Sequence, residues 1–163
     1  SLHDALPIYR VSFDETREIA LLDEVELCES YLSIEKYRFD KKLKVTWHLP
    51  DEDLLYDMVI TSLSLQMVIE KLIVLIVENS TDPIDINISI DWQNDVAKID
   101  VEIELPATTY QLICQDIRQK LQFNSQVAIL RQYFGHEASI HFELSGQLLI
   151  TQIRYPLKDV AAF

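Results

Sequence analysis

The chain reads as a two-layer α/β sandwich: a mixed β-sheet with helices on one face, preceded by one helix. Three observations predict it. Segments 23–38 and 61–78 repeat apolar residues at helical spacing. Segments 42–49, 84–92, 97–105, 139–144 and 147–155 have strand character, several alternating apolar with polar residues. The order of elements, α-β-(α)-α-β-β-α-α-β-β, runs through 163 residues without an internal repeat or a Gly/Ser linker, so one core is expected.

The first helix, from Asp23 to about Arg38, carries a broad apolar stripe of Val25, Leu27, Cys28, Tyr31, Leu32 and Ile34. Glu24, Glu26, Glu29, Glu35 and Lys36 lie mainly elsewhere. Asp23 stands at an N-cap position, with Glu26 at capping-box spacing. Leu43, Val45, Trp47 and Leu49 then mark a strand that Pro50 ends, and 53–58 allows a short helical turn. Residues 61–78 form the second long helix.

Asp82-Pro83 breaks the chain before Ile84, Ile86, Ile88 and Ile90, which alternate with polar residues as a strand with one wet face does. A turn at Gln93-Asn94-Asp95 leads into strand 97–105, stopped by Pro106. Thr108 or Thr109 is placed to cap a helix reaching about Leu121, and Asn124 or Ser125 to cap another ending at Phe134, with Gly135 in the left-handed position beyond it. A closing hairpin turns at Ser145-Gly146.

Composition narrows the chemistry. Fourteen Lys and Arg against 27 Asp and Glu give a net charge of −13, which disfavours a nucleic-acid partner because phosphate binding needs clustered cations. The longest apolar run, 72–77, is too short to span a bilayer, so no direct membrane contact is expected in this segment. Cys28 and Cys114 lie in apolar-patterned segments without CxxC spacing and read as reduced core thiols. His48, His136 and His141 have no ligand spacing, so no metal site is expected from them. HExxH, Walker and Gly-x-Ser-x-Gly patterns are absent. There are two glycines where average usage would supply about 11. Phosphate-cradling loops need glycine to bring backbone N–H groups close to the oxygens. Residues 1–8 match the translation of a common sequencing-adaptor oligonucleotide and are set aside, His3 with them.

Three blocks then carry a resemblance. Residues 22–39 place Glu24, Tyr31, Leu32, Ile34, Arg38 and Phe39 at the pattern Leu-x-x-Glu-(x)-Tyr-Leu-x-Ile-x-x-x-Arg-Phe. Residues 63–76 keep Leu65, Gln66 and Glu70 of Leu-Gln-Pro-Leu-Val-Glu-Asn-Ala-Ile-Lys-His, with Lys71 at the Asn and Val74-Leu75 at the Lys-His. Residues 121–135 keep Phe123, Asn124 and the ending Tyr133-Phe134-Gly135, with Gln122 at the lid glycine. From about Tyr9 to Leu157 the chain resembles the GHKL-type ATPase region of LytS-like sensor histidine kinases. Val77-Glu78-Asn79 spells the same tripeptide as the second motif. That register leaves too few residues before Ile84 and displaces Gln66.

The resemblance implies a scaffold segment at 9–40, an ATPase-like domain at 41–158 and a tail at 159–163. It implies a cytoplasmic domain of an inner-membrane-anchored bacterial protein, dimeric through upstream helices that also bear the phosphoacceptor histidine, with a response regulator as partner. Glu70, Lys71 and Asn124 would be the remnant ATP site. In the family the Asn holds the magnesium of ATP; here it is a lysine. The adenine-binding Asp-x-Gly or Asn-Asn turn expected near Leu105 is also missing, leaving Glu102 and Glu104 as strand residues. No cofactor is expected unless the site still works, in which case ATP and Mg2+ are. A pseudokinase acting by protein–protein interaction is the favoured reading. An active ATP-dependent histidine kinase and an unrelated α/β binding domain are the alternatives.

Overall fold

The computed structural model describes residues 16–40 and 42–157. The adaptor-like residues 1–8 and the tail 159–163 lie outside this range. The chain forms β1 (Glu18–Ala20), α1 (Leu21–Arg38), β2 (Leu43–His48), α2 (Glu52–Asp57), β3 (Val59–Thr61) and α3 (Ser64–Ile76). It continues with β4 (Ile84–Gln93), β5 (Val96–Glu104), α4 (Ala107–Ile113), α5 (Ile117–Lys120), α6 (Asn124–Phe134), β6 (Ser139–Ser145) and β7 (Leu148–Pro156). Five strands make one mixed sheet in the order β2-β4-β5-β7-β6. The β2–β4 pair is parallel and the others are antiparallel.

The alternation in β4 does what the sequence predicts: Ile84, Ile86, Ile88 and Ile90 are buried against the helices. Removing such side chains from water is the main stabilising term, about 25 cal/mol per Å² of apolar area. From β5 and β7, Ile99, Val101, Ile103, Leu149 and Ile153 complete that face, and α3 covers it with Leu65, Val68, Ile69, Leu72, Ile73 and Ile76. The β4–β5 loop is two residues long, Asn94 and Asp95, both at positive φ, which is the type I′ pattern that matches strand twist.

Several expectations are corrected. Helix α1 begins at Leu21, and neither Asp23 nor any other side chain caps it; Leu21 N–H instead bonds to Met58 O at 2.8 Å. Its buried stripe is Leu21, Val25, Cys28, Leu32 and Glu35, with Glu24 beside it, while Leu27 is 45% and Ile34 65% exposed. That stripe steps by four and three residues; Glu35 falls on it, and Glu24 is buried at its edge. The long helix of 61–78 is shorter at both ends. Residues 59–61 instead pair antiparallel with β1, in register Glu18↔Thr61. Two three-residue strands lack enough length to show a period, and each exists only because the other is there.

The helix expected to reach Leu121 breaks into α4 and α5, and α6 starts at Asn124 with no side-chain cap. Thr109 is buried, with its hydroxyl 3.5 Å from Asn79 O. Gly135 has φ 93° and ψ 179°, an extended conformation open essentially to glycine alone, not the left-handed helical one. The last hairpin turns at Gly146-Gln147, one residue later than expected, with Gly146 at φ 60° as the first position of a type II′ turn requires. Cys28 is a core thiol, and burial among Glu24 and Glu29 pushes its pKa far up; Cys114 is only half-buried.

Candidate functional site

Helix α3 is held at its start by a residue of α1. Glu24, fully buried, accepts hydrogen bonds from Leu63 N–H at 2.9 Å and Leu65 N–H at 3.0 Å. Leu63, the N-cap of α3, lies at φ 65° and has no polar side chain of its own to cap with. A carboxylate from another element therefore satisfies amides that a helix start leaves unbonded. Burial pushes the Glu24 carboxyl up to about 6, and the amides of Leu63, Leu65 and Gln66 hold it from rising further. Thr61 and Ser64 hydroxyls bond to each other beneath this cap.

Along the outer face of α3, Met67, Glu70, Lys71, Val74, Leu75, Glu78 and Asn79 line a cleft of about 660 Å³. Its opposite wall is Gln119, Lys120 and Gln122, from α5 and the segment after it. Lys71 crosses the cleft: its Nζ donates to the backbone carbonyl of Gln122 at 2.6 Å and sits 5.9 Å from the centre of the Phe123 ring. Phe123 is in turn packed edge-on against Phe142 of the sheet, with centroids 6.5 Å apart. Lys120 pairs with Asp116 at 3.2 Å. At the far end Arg38 of α1 reaches Glu78 at 3.8 Å and Glu35 at 3.6 Å. Burial, then the charges of Glu35, Glu70 and Glu78, push the Tyr31 hydroxyl well above its ordinary value.

The structure thus brings Glu70 and Lys71 to one cleft but places Asn124 on another. Asn124 is exposed and lines a second cleft of about 840 Å³ with Arg118, His141 and Glu143, on the other side of the 117–123 segment. Glu78 and Asn79, set aside with the decoy tripeptide, do line the Lys71 cleft. The spacing 70, 74, 78 along one helical face was the available signal. Asn79 is tied back to α3, its Nδ2 donating to Leu75 O at 2.6 Å. The Gln122 carbonyl could not have been anticipated, since it is a backbone group 51 positions from Lys71. Glu102 is half-buried and Glu104 exposed on β5, and neither lines either cleft.

An ammonium offers three donors and no lone pair, so Lys71 cannot ligate a metal ion. Among the described residues, no three His, Cys, Asp or Glu side chains come together in a group able to hold one. The residues present do not fit magnesium at the position where the resemblance puts it.

The fold is that of histidine kinase catalytic domains. The catalytic domain of histidine kinase ThkA matches with a TM-score of 0.57 at 12% identity, over 87% of this chain and 95% of that one. The Acinetobacter baumannii histidine kinase AdeS matches at 0.61 and 14%, over 97% and 77%. A third likeness is to ThkA in complex with the response regulator protein TrrA, at 0.59 and 11%, where the match spans 95% of this chain and 47% of the other. No protein-family model matches the chain, and no curated protein sequence does. At these identities the likeness defines the fold class alone.

Proposed function

We propose that this chain is the cytoplasmic ATPase-like part of a two-component sensor histidine kinase-like protein and acts as a pseudokinase, through protein–protein contact. One observation carries the reading. The side chain at the family's metal-binding Asn is Lys71, and its ammonium is engaged by the carbonyl of Gln122, itself at the position of the lid glycine. Phosphoryl transfer depends almost wholly on positioned charge and metal, and a fixed cation there opposes a bound Mg2+. The missing adenine turn and the two-glycine composition point the same way. In this reading residues 9–40 are scaffold and 41–158 the ATPase-like domain. The parent protein is anchored in the inner membrane and dimeric through upstream helices, and a response regulator is the natural partner.

The alternative, an ATP-dependent histidine kinase, has one observation in its favour: the cleft beside α3 retains about 660 Å³ of space. Titrating a fluorescent ATP analogue into the protein separates the two. The pseudokinase reading expects no magnesium-dependent binding, and micromolar affinity abolished by EDTA would overturn it.

A further inference from the structure

We propose that Lys71 is an internal latch that fastens segment 117–123 across the cleft to α3, so that closure of this segment is set by the chain itself and not by a bound nucleotide. The comparison with a nucleotide rests on the reading above; the latch rests on the contact geometry.

Segment 117–123 has little structure of its own to hold it. Helix α5 has four residues, Leu121 leaves it in an extended conformation, and the chain turns again at Phe123 to enter α6. Two apolar anchors, Leu121 and Phe123, are buried on the sheet side. Between them Gln122 is exposed, and its carbonyl accepts the Lys71 ammonium at 2.6 Å. A short N–H···O bond with a charged donor is among the stronger hydrogen bonds. The same ammonium lies 5.9 Å from the Phe123 ring, within cation–π range, so one charge grips two consecutive residues. Lys71 sits on α3, which is fixed at its start by Glu24 and packed along its length into the core. The tie therefore runs from a rigid element to a weakly structured one.

Amide hydrogen exchange on the intact chain tests this. Lys71→Met keeps the aliphatic stem and removes the charge; Lys71→Arg keeps a cation. In Lys71→Met the amides of Leu121 and Val127, bonded to Ile117 O and Phe123 O, are expected to exchange about tenfold faster, with those of Val68–Ile73 unchanged. Lys71→Arg is expected to retain most of the protection. Unchanged exchange in Lys71→Met overturns the latch, as does acceleration spread evenly over the sheet and α3. The nucleotide titration is read separately. Magnesium-dependent binding by the wild type together with a loosened Lys71→Met segment would refute the pseudokinase and leave the latch standing. No binding together with an unaltered segment would do the reverse.

Discussion

Glu24 and Leu65 lie 41 positions apart, yet the carboxylate of the first holds the amide of the second at 3.0 Å inside the core. The bond joins the leading helix to the helix that lines the cleft. It also accounts for the positive φ of Leu63, since the same carboxylate takes that residue's N–H at 2.9 Å. A non-glycine residue in this region costs on the order of 1 kcal/mol, and it persists where its surroundings determine it.

Replacing Glu24 with Ala removes the partner of two backbone amides, that of buried Leu65 and that of half-buried Leu63. The expected loss is about 2–4 kcal/mol of unfolding free energy, read from urea denaturation. Amides at the start of α3 should lose protection first. An unchanged midpoint would mean that water satisfies the cap equally well.

Glu24 also sets a pH dependence. Its folded pKa is raised from 4.5 to about 6, so the folded state binds the proton more tightly than the unfolded chain. The contribution is fully present below about pH 4.5 and is lost as pH rises through 6, amounting to roughly 2 kcal/mol. Tyr155 and Cys28, the neighbouring titratable groups in the core, are both pushed upward and stay neutral in this window. Measured from pH 4 to 7, wild-type stability should fall relative to Glu24→Gln between those limits. Parallel curves for the two proteins would contradict the assignment.

Under the proposed function, Lys71→Asn puts back the residue that the resemblance implies at this position but changes nothing else in the site. In that reading Gln122 still stands where the resemblance implies a lid glycine, and 101–107 still has no Asp-x-Gly or Asn-Asn turn. No magnesium-dependent binding of a fluorescent nucleotide is expected from this variant, and recovery of binding by this one change would show that the site needs only its metal ligand.

Gly135→Ala isolates a backbone effect. Nothing lies within 4 Å of the position a Cβ would take, yet φ 93° with ψ 179° is closed to other residues. A loss of about 1–3 kcal/mol is expected in thermal or urea unfolding.

The two faces of α1 offer a matched contrast. Leu32 is 2% exposed and Ile34 65%. Leu32→Ala should cost about 2–5 kcal/mol, whereas Ile34→Ser should stay within about 0.5 kcal/mol beyond its helix-propensity difference. Equal losses would place Ile34 in a contact with another chain or segment.

The main strands were legible in the residues because their evidence is local. Ile84 to Ile90 alternate over one sheet face, and Asn94-Asp95 form a two-residue turn; both patterns arise within ten positions. Helix α3 and the covering of that face were legible for the same reason. What the pattern could not reveal depended on partners far along the chain. Glu24 and Glu35 read as polar-face residues until the packing of α1 buried them. The β1–β3 pair is too short to carry a period and is made by residues some forty positions apart. The Lys71 cleft is defined by a backbone carbonyl, and every residue has one, so no residue type marks it. Sequence alone determined the main strands, the two long helices and the two-layer architecture, since these follow from side-chain identity and short-range periodicity. Tertiary structure alone decided which charges are buried and which amide caps which helix. It also decided what the Lys71 ammonium holds, because those are properties of the distances that folding creates.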